Sequence, residues 1–214
     1  MVQDIPVQNI TLAYLKKNFS LEKCQDEQFF QEWQTDLPSI SEVEQQYLDR
    51  VKNNYLSLLE TFTILEDAVK MVVLSPLLDL AGFYLPPFHI ATEEPIAISE
   101  EAVIEEQDTK EIIKGKIDVL VLQHQLWLLV IESKKYNFSL SRAIPQAIAY
   151  MLANPQLERP AYSLVINGED CQFIKLVQEE QPKYALSDRF TLYRKENELY
   201  KVLAILKKLG QILS

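Results

Sequence analysis

The chain has 214 residues, 48% of them apolar, and a formal net charge of −10. That is enough length and apolar character for one domain with a full core. The acidity argues against a general nucleic-acid coat, though not against an enzyme that meets DNA at one small site and brings cations with it. The four glycines, at 82, 115, 168 and 210, leave no GxGxxG or Walker A loop, so no nucleotide cofactor is expected. No apolar run reaches the ~20 residues of a membrane span, so no membrane partner is expected either. Two distant cysteines, Cys24 and Cys171, and no recognisable secretory signal fit a reducing cytoplasm.

In chain order, residues 1–40 read as a helical extension of short pieces broken at Pro6 and Pro38. Residues 41–214 read as the main domain. Ser41 and Glu44 form a capping box for a helix with Val43, Tyr47, Val51, Tyr55 and Leu58 at helical spacing. Thr63 with Glu66 gives a second capping signal, followed by Pro76, which should kink or end a turn, and Gly82, which suits a stop. A strand is expected from residue 88, then an acidic loop. An apolar hairpin follows, "GKIDVLVLQHQLWLLVIESKK", turning near Gln123-His124-Gln125. A helix over 141–154 tolerates Pro145 near its first turn. A second hairpin turns at Asn167-Gly168, one or two short strands follow, and an amphipathic helix closes the chain. The order implies an α/β fold, a central mixed β-sheet flanked by helices.

The hairpin carries the chemistry. With Gln125 as centre, Asp118 and Glu132 lie directly opposite each other at its open end and share a face. Lys134, two residues on, shares that face too. Two partly desolvated carboxylates repel, and one should pick up a proton unless a cation intervenes. Hard oxygen donors suit Mg²⁺ or Mn²⁺. Lys134 could orient an attacking water or stabilise developing charge. A strand that ends in solvated charges gives a similar Glu132-Ser133-Lys134, and another acid-x-Lys triplet exists at Asp108-Thr109-Lys110. Asp118 within an otherwise apolar strand weighs for a site, because a lone buried acid is costly.

At these residues the chain resembles the PD-(D/E)XK nuclease superfamily: Ile117-Asp118, thirteen intervening residues, then Glu132-Ser133-Lys134. Ile117 replaces the proline of that pattern. Within the superfamily the chain looks most like the N-terminal nuclease domain of type I restriction enzyme R subunits, over roughly residues 60–180. Glu66 on an upstream helix, Gly115-Lys116 before the aspartate, and Gln146 with Tyr150 as a Q-x-x-x-Y motif carry this likeness. The resemblance implies a restriction-endonuclease-like fold and Mg²⁺-dependent (or Mn²⁺-dependent) hydrolysis of DNA. Asp118 and Glu132 would be metal ligands with the Ser133 carbonyl, Lys134 the catalytic lysine, Glu66 a ligand or holder of metal-bound water, and Gln146 and Tyr150 DNA-facing. R subunits continue into a DNA-translocating motor and this sequence ends at 214. A free-standing nuclease, a recruited module or a relic is therefore expected.

Simpler readings stand beside these. Glu66 serves equally as a cap partner for Thr63. If Ile148, Met151 and Leu152 bury against the sheet, Gln146 and Tyr150 face away, and the helix is either covered on both sides or carries an exposed polar face. Lys114, Lys116, Lys135 and Arg142 are surface charges unless DNA lies across this edge. His89 and His124 are isolated, and the aromatics between 47 and 88 are core. The acidic chain should bind DNA weakly, with a partner protein or a homodimer supplying the remaining grip. The rival is a non-catalytic interaction subunit whose acid-lysine cluster is a structural ion pair.

Overall fold

The longest strand, β4 (Lys110–Gln123), organises the molecule, because three other strands pair with it. The structure is a computed structural model that describes residues 2–61, 65–99, 110–123, 126–135, 138–156 and 158–213. Thr63 of the second capping signal, the acidic stretch 100–109 and the turn residues His124 and Gln125 lie outside the described residues.

On one edge, β4 pairs antiparallel with β3 (Phe88–Ser99). Its other edge is shared. Lys110 to Lys114 pair in parallel with β1 (Val2–Pro6), and Val119 to Gln123 pair antiparallel with β5 (Leu126–Ser133). The sheet continues through β6 (Ala161–Ile166), parallel to β5, then β7 (Asp170–Val177) and β8 (Lys183–Thr191), both antiparallel to their predecessors. The two-residue β2 (Glu22–Lys23) closes the far edge beside β8. The result is one mixed eight-stranded sheet, in the order β1-β4-β5-β6-β7-β8-β2 with β3 on β4.

Helices cover both faces. α1 (Leu12–Phe19) and α5 (Leu140–Leu152) bury one apolar layer with Val7, Ile113, Ile117, Leu120 and Val165. On the opposite face lie α2 (Glu42–Thr61), α3 (Glu66–Val69), α4 (Ser75–Leu80) and α6 (Leu199–Leu213), which pack on Val119, Val121, Ile131, Leu164 and Phe173. The capping box forms as expected: the Ser41 N–H donates to Glu44 and the Glu44 N–H to the Ser41 hydroxyl. The α2 stripe differs at its start. Val43 is 75% exposed, and Leu48, Val51 and Tyr55 are the buried positions. The first turn is held instead by the ion pair of Glu44 with Lys207 on α6.

Between α3 and α4 the helix widens over Lys70–Leu74 into a π-type turn. Pro76 follows at the start of α4, where its missing N–H is absorbed by the irregular turn before it. The N-terminal residues contain helix α1 and also two strands, one at each end of the sheet path. Those strands pair with partners far along the sequence, which local periodicity does not reveal. Pro145 sits in the second turn of α5 rather than the first, so it has no N–H to give to the Ser141 carbonyl. Among the described residues no helix is long and apolar enough to cross a membrane.

Candidate active site at a fork in the sheet

β1 and β5 approach the same edge of β4 from opposite ends, and neither pairs with residues 115–118. The sheet forks there, and backbone groups that would belong to a ladder need other partners. Gly115 lies in the gap. A Cβ at this position would stand 2.5 Å from Val7 Cγ1 and 3.0 Å from Tyr150 Cε1, so any side chain here would have to displace a neighbour. The Tyr150 hydroxyl donates to the Lys116 carbonyl at 2.7 Å and accepts from Gln146 Nε2 at 2.9 Å. Burial, and then the Glu132 charge, push the Tyr150 phenol upward, so it remains a protonated donor. Gln146 and Tyr150 therefore point to the strand, on a helix buried on both sides from Ala143 to Met151, and they fasten the fork.

Register brings the two acids together. At the turn end of the hairpin, Gln123 faces Leu126 and Leu122 faces Trp127. Kept unchanged, that register would set Ile131 opposite Asp118. A one-residue bulge intervenes, after which Val121 faces Leu129 and Val119 faces Ile131. Continued by one pair, the new register puts Glu132 across from Asp118. Because side chains alternate faces along a strand, this single extra residue decides whether an acid or an isoleucine meets Asp118.

Asp118 Oδ2 accepts the Ser133 backbone N–H at 2.8 Å, and Oδ1 lies 3.2 Å from Lys70 Nζ. Burial raises the Asp118 carboxyl, Glu66 adds to the rise, and Lys70 opposes it. Glu132 is wholly buried. Its Oε1 is in ionic contact with Lys134, and its Oε2 has no hydrogen-bond partner among the described residues. Burial and then the charge of Asp118 push the Glu132 carboxyl up to about 8, against the pull of Lys134. The Lys134 ammonium also stands 5.8 Å from the centre of the Phe138 ring, a cation–π contact.

Two site residues had escaped sequence reasoning. Lys70 opens the wide turn, 3.0 Å from Glu66, 3.2 Å from Asp118 and 3.7 Å from Glu93. Burial alone would lower its ammonium, but the bond to Glu66 and the charge of Asp118 outweigh this and raise it. The i,i+4 spacing Glu66–Lys70 was the available signal. Glu93 lies on β3 between the pairs Thr92–Val119 and Glu94–Ile117, hence beside Asp118. It holds a left-handed φ of 53°, an unusual conformation for a glutamate. Nothing in its local sequence marks it.

The fork thus unites Asp118, Glu132, Ser133 and Lys134, with Glu66 joined to Asp118 through Lys70. Lys116 is exposed two residues before Asp118, and Lys135 and Arg142 are exposed beside a neighbouring cleft. Among the described residues no three His, Cys, Asp or Glu side chains are gathered for a metal. Mg²⁺, however, is commonly held by one or two carboxylates plus water and phosphate, and Asp118 and Glu132 meet that requirement. The unpartnered, buried Glu132 Oε2 and the Lys70 ammonium drawn between Asp118 and Glu66 both indicate a place that favours positive charge.

A family model described as the type I restriction enzyme R protein N terminus matches residues 21–182. No curated protein matches the chain. The matched segment contains every acid and lysine of the fork named above and leaves out β1, α1, β8 and α6. With a match over most of its length, the chain belongs to the family of type I restriction enzyme R protein N termini, a restriction-related group.

Proposed function

We propose that the chain is a nuclease module that hydrolyses DNA phosphodiesters with Mg²⁺ or Mn²⁺. The observation that carries this reading is the bulge-set opposition of Asp118 and Glu132, with Lys134 on Glu132 and the Glu132 Oε2 without a hydrogen-bond partner among the described residues. Asp118 and Glu132 would hold the ion, with the Ser133 carbonyl as a further donor. The cation supplies neutralisation of phosphoryl charge and a more acidic water. Glu132 fixes the Lys134 ammonium at the site's edge, where it donates to the attacking water or to an oxygen gaining charge. The Ser133 N–H keeps the Asp118 carboxylate turned toward the fork. The family match supports a restriction-related role, and with it DNA and subunit partners. A net charge of −10 makes the free chain's grip on DNA weak and salt-sensitive, so a partner protein or second copy completes it.

A second reading is favoured by one contact. Lys70 already neutralises Asp118 and Glu66, as a structural ion network would. The two readings separate in a plasmid-nicking assay with Mn²⁺ on wild type, Asp118→Ala and Lys134→Ala. Loss of nicking in both variants supports the nuclease. Equal nicking by all three assigns the activity elsewhere, and silence of all three favours the structural network.

A further inference from the structure

The fork opens into a cleft of about 670 Å³. One side is lined by residues 8–12, which follow β1, another by Lys134, Lys135 and Phe138, and the start of α5 completes the lining. Glu66 and Lys134 bring the catalytic edge into it. The first wall falls outside the family match, which begins at residue 21.

The lining is divided by chemistry. Ile10, Leu12, Phe138 and Pro145 give apolar surface with one aromatic ring. The Gln8 and Asn9 amides have no hydrogen-bond partner among the described residues, and neither Lys135 nor Arg142 has an acid partner among them. Apolar faces, free amides and free cations side by side match the three parts of a nucleotide: base plane, base edge and phosphate. A second cleft of about 470 Å³ reaches Asp118 from the β3 side, but Asp67 and Glu93 line it and its lysine, Lys70, is engaged. Charge complementarity to a polyanion selects the first.

Resting on the nuclease reading, we infer that this cleft takes one unstacked nucleotide of the cleaved strand. Its base lies between the 8–12 wall and Phe138, and its phosphate meets Lys135 and Arg142. A paired, stacked base cannot enter such a space without being extruded. The preferred substrate is therefore nucleic acid unpaired at the cut, a single strand, flap or frayed end, ahead of intact duplex.

The test compares an end-labelled single strand, a flap and a blunt duplex of one sequence, in Mn²⁺. Anisotropy and 2-aminopurine emission report binding without metal. Wild type should cut the unpaired substrates at least tenfold faster and change the emission of a 2-aminopurine placed at the cut. Gln8→Ala/Asn9→Ala, both exposed and outside the catalytic edge, should reduce that preference several-fold while duplex cutting stays within twofold. Equal cutting of all three substrates, or a preference untouched by the double variant, overturns the cleft assignment and leaves the nuclease reading intact. Failure to bind or cut any of the three overturns both.

Discussion

The Lys70 ammonium bridges Asp118, at 3.2 Å, and Glu66, at 3.0 Å, so a residue outside the acid-x-lysine motif supplies a counter-charge in direct contact with the Asp118 carboxylate. Any metal drawn to Asp118 must displace Lys70 or share its partner. Lys70→Met should therefore strengthen Mn²⁺ binding about tenfold, as expected for removing a unit charge a few ångströms from the ion. The metal-free variant should lose about 2 kcal/mol of stability, because Asp118 is left partly buried beside Glu66 without its counter-charge. Titration calorimetry and thermal melts read the two effects. Weaker Mn²⁺ binding in the variant would mean that Lys70 organises the carboxylates rather than competing for them.

Glu132 sets a pH dependence. Its carboxyl is pushed up to about 8, far above the range of an unfolded glutamate, so between roughly pH 4.5 and 8 the folded chain holds a proton that the unfolded chain has released. Its contribution to metal-free stability is complete below the unfolded value and declines as pH rises through about 8. Asp118, also raised, acts in the same direction. Glu132→Gln should flatten the fall in melting temperature between pH 5 and 8. Mn²⁺ affinity of the wild type should climb toward pH 8, by up to about tenfold per unit where one proton is displaced. A wild-type melting temperature that rises steadily across this range would contradict the buried, protonated glutamate.

Tyr150 acts through the strand. Its hydroxyl is the donor to the Lys116 carbonyl in the stretch of β4 that neither β1 nor β5 pairs. Tyr150→Phe should cost about 1–2 kcal/mol in urea unfolding, the penalty of an unsatisfied buried acceptor. Catalytic rate should fall with little change in the salt dependence of DNA binding. A direct phosphate contact would instead lower the slope of affinity against salt.

Gly115 offers a packing test. Gly115→Ala places a methyl against Val7 and Tyr150, and about 1–3 kcal/mol of destabilisation is expected from overpacking. Val7→Ala should recover part of that loss in the double variant, since the closest clash is with the Val7 side chain. Independent, additive losses would place the strain elsewhere.

Local pattern made much of this architecture readable. The Ser41–Glu44 box, the Asn167-Gly168 turn and the apolar first hairpin each involve neighbours in sequence, and each forms. The opposition of Asp118 and Glu132, one step beyond the last pair, agrees with a hairpin centred on Gln125, but only because the bulge restores that centre after the register set by Gln123–Leu126. Pattern could not supply that reason, since a bulge leaves no periodic trace. The α5 residues resolved an open question: the helix is covered on both sides, so Gln146 and Tyr150 turn to β4 although Ile148 and Met151 are also buried. Lys70, Glu93 and the strands β1 and β2 were out of reach because their roles depend on elements distant in the chain. A lysine one turn from a glutamate is ordinary until the fold carries Asp118 to it.

The placement of β1 and β2 has a kinetic consequence. Val2 must find Lys110, and Glu22 must find Lys183, before either border of the sheet is complete. Such distant pairings are slow steps in folding. A chain paired only in its two hairpins would hold the acidic pair, yet it would lack the rim beside the fork and leave adhesive backbone uncovered at both margins. Completion of the acidic fork and cover for both margins thus depend on the same segment, the first two dozen residues.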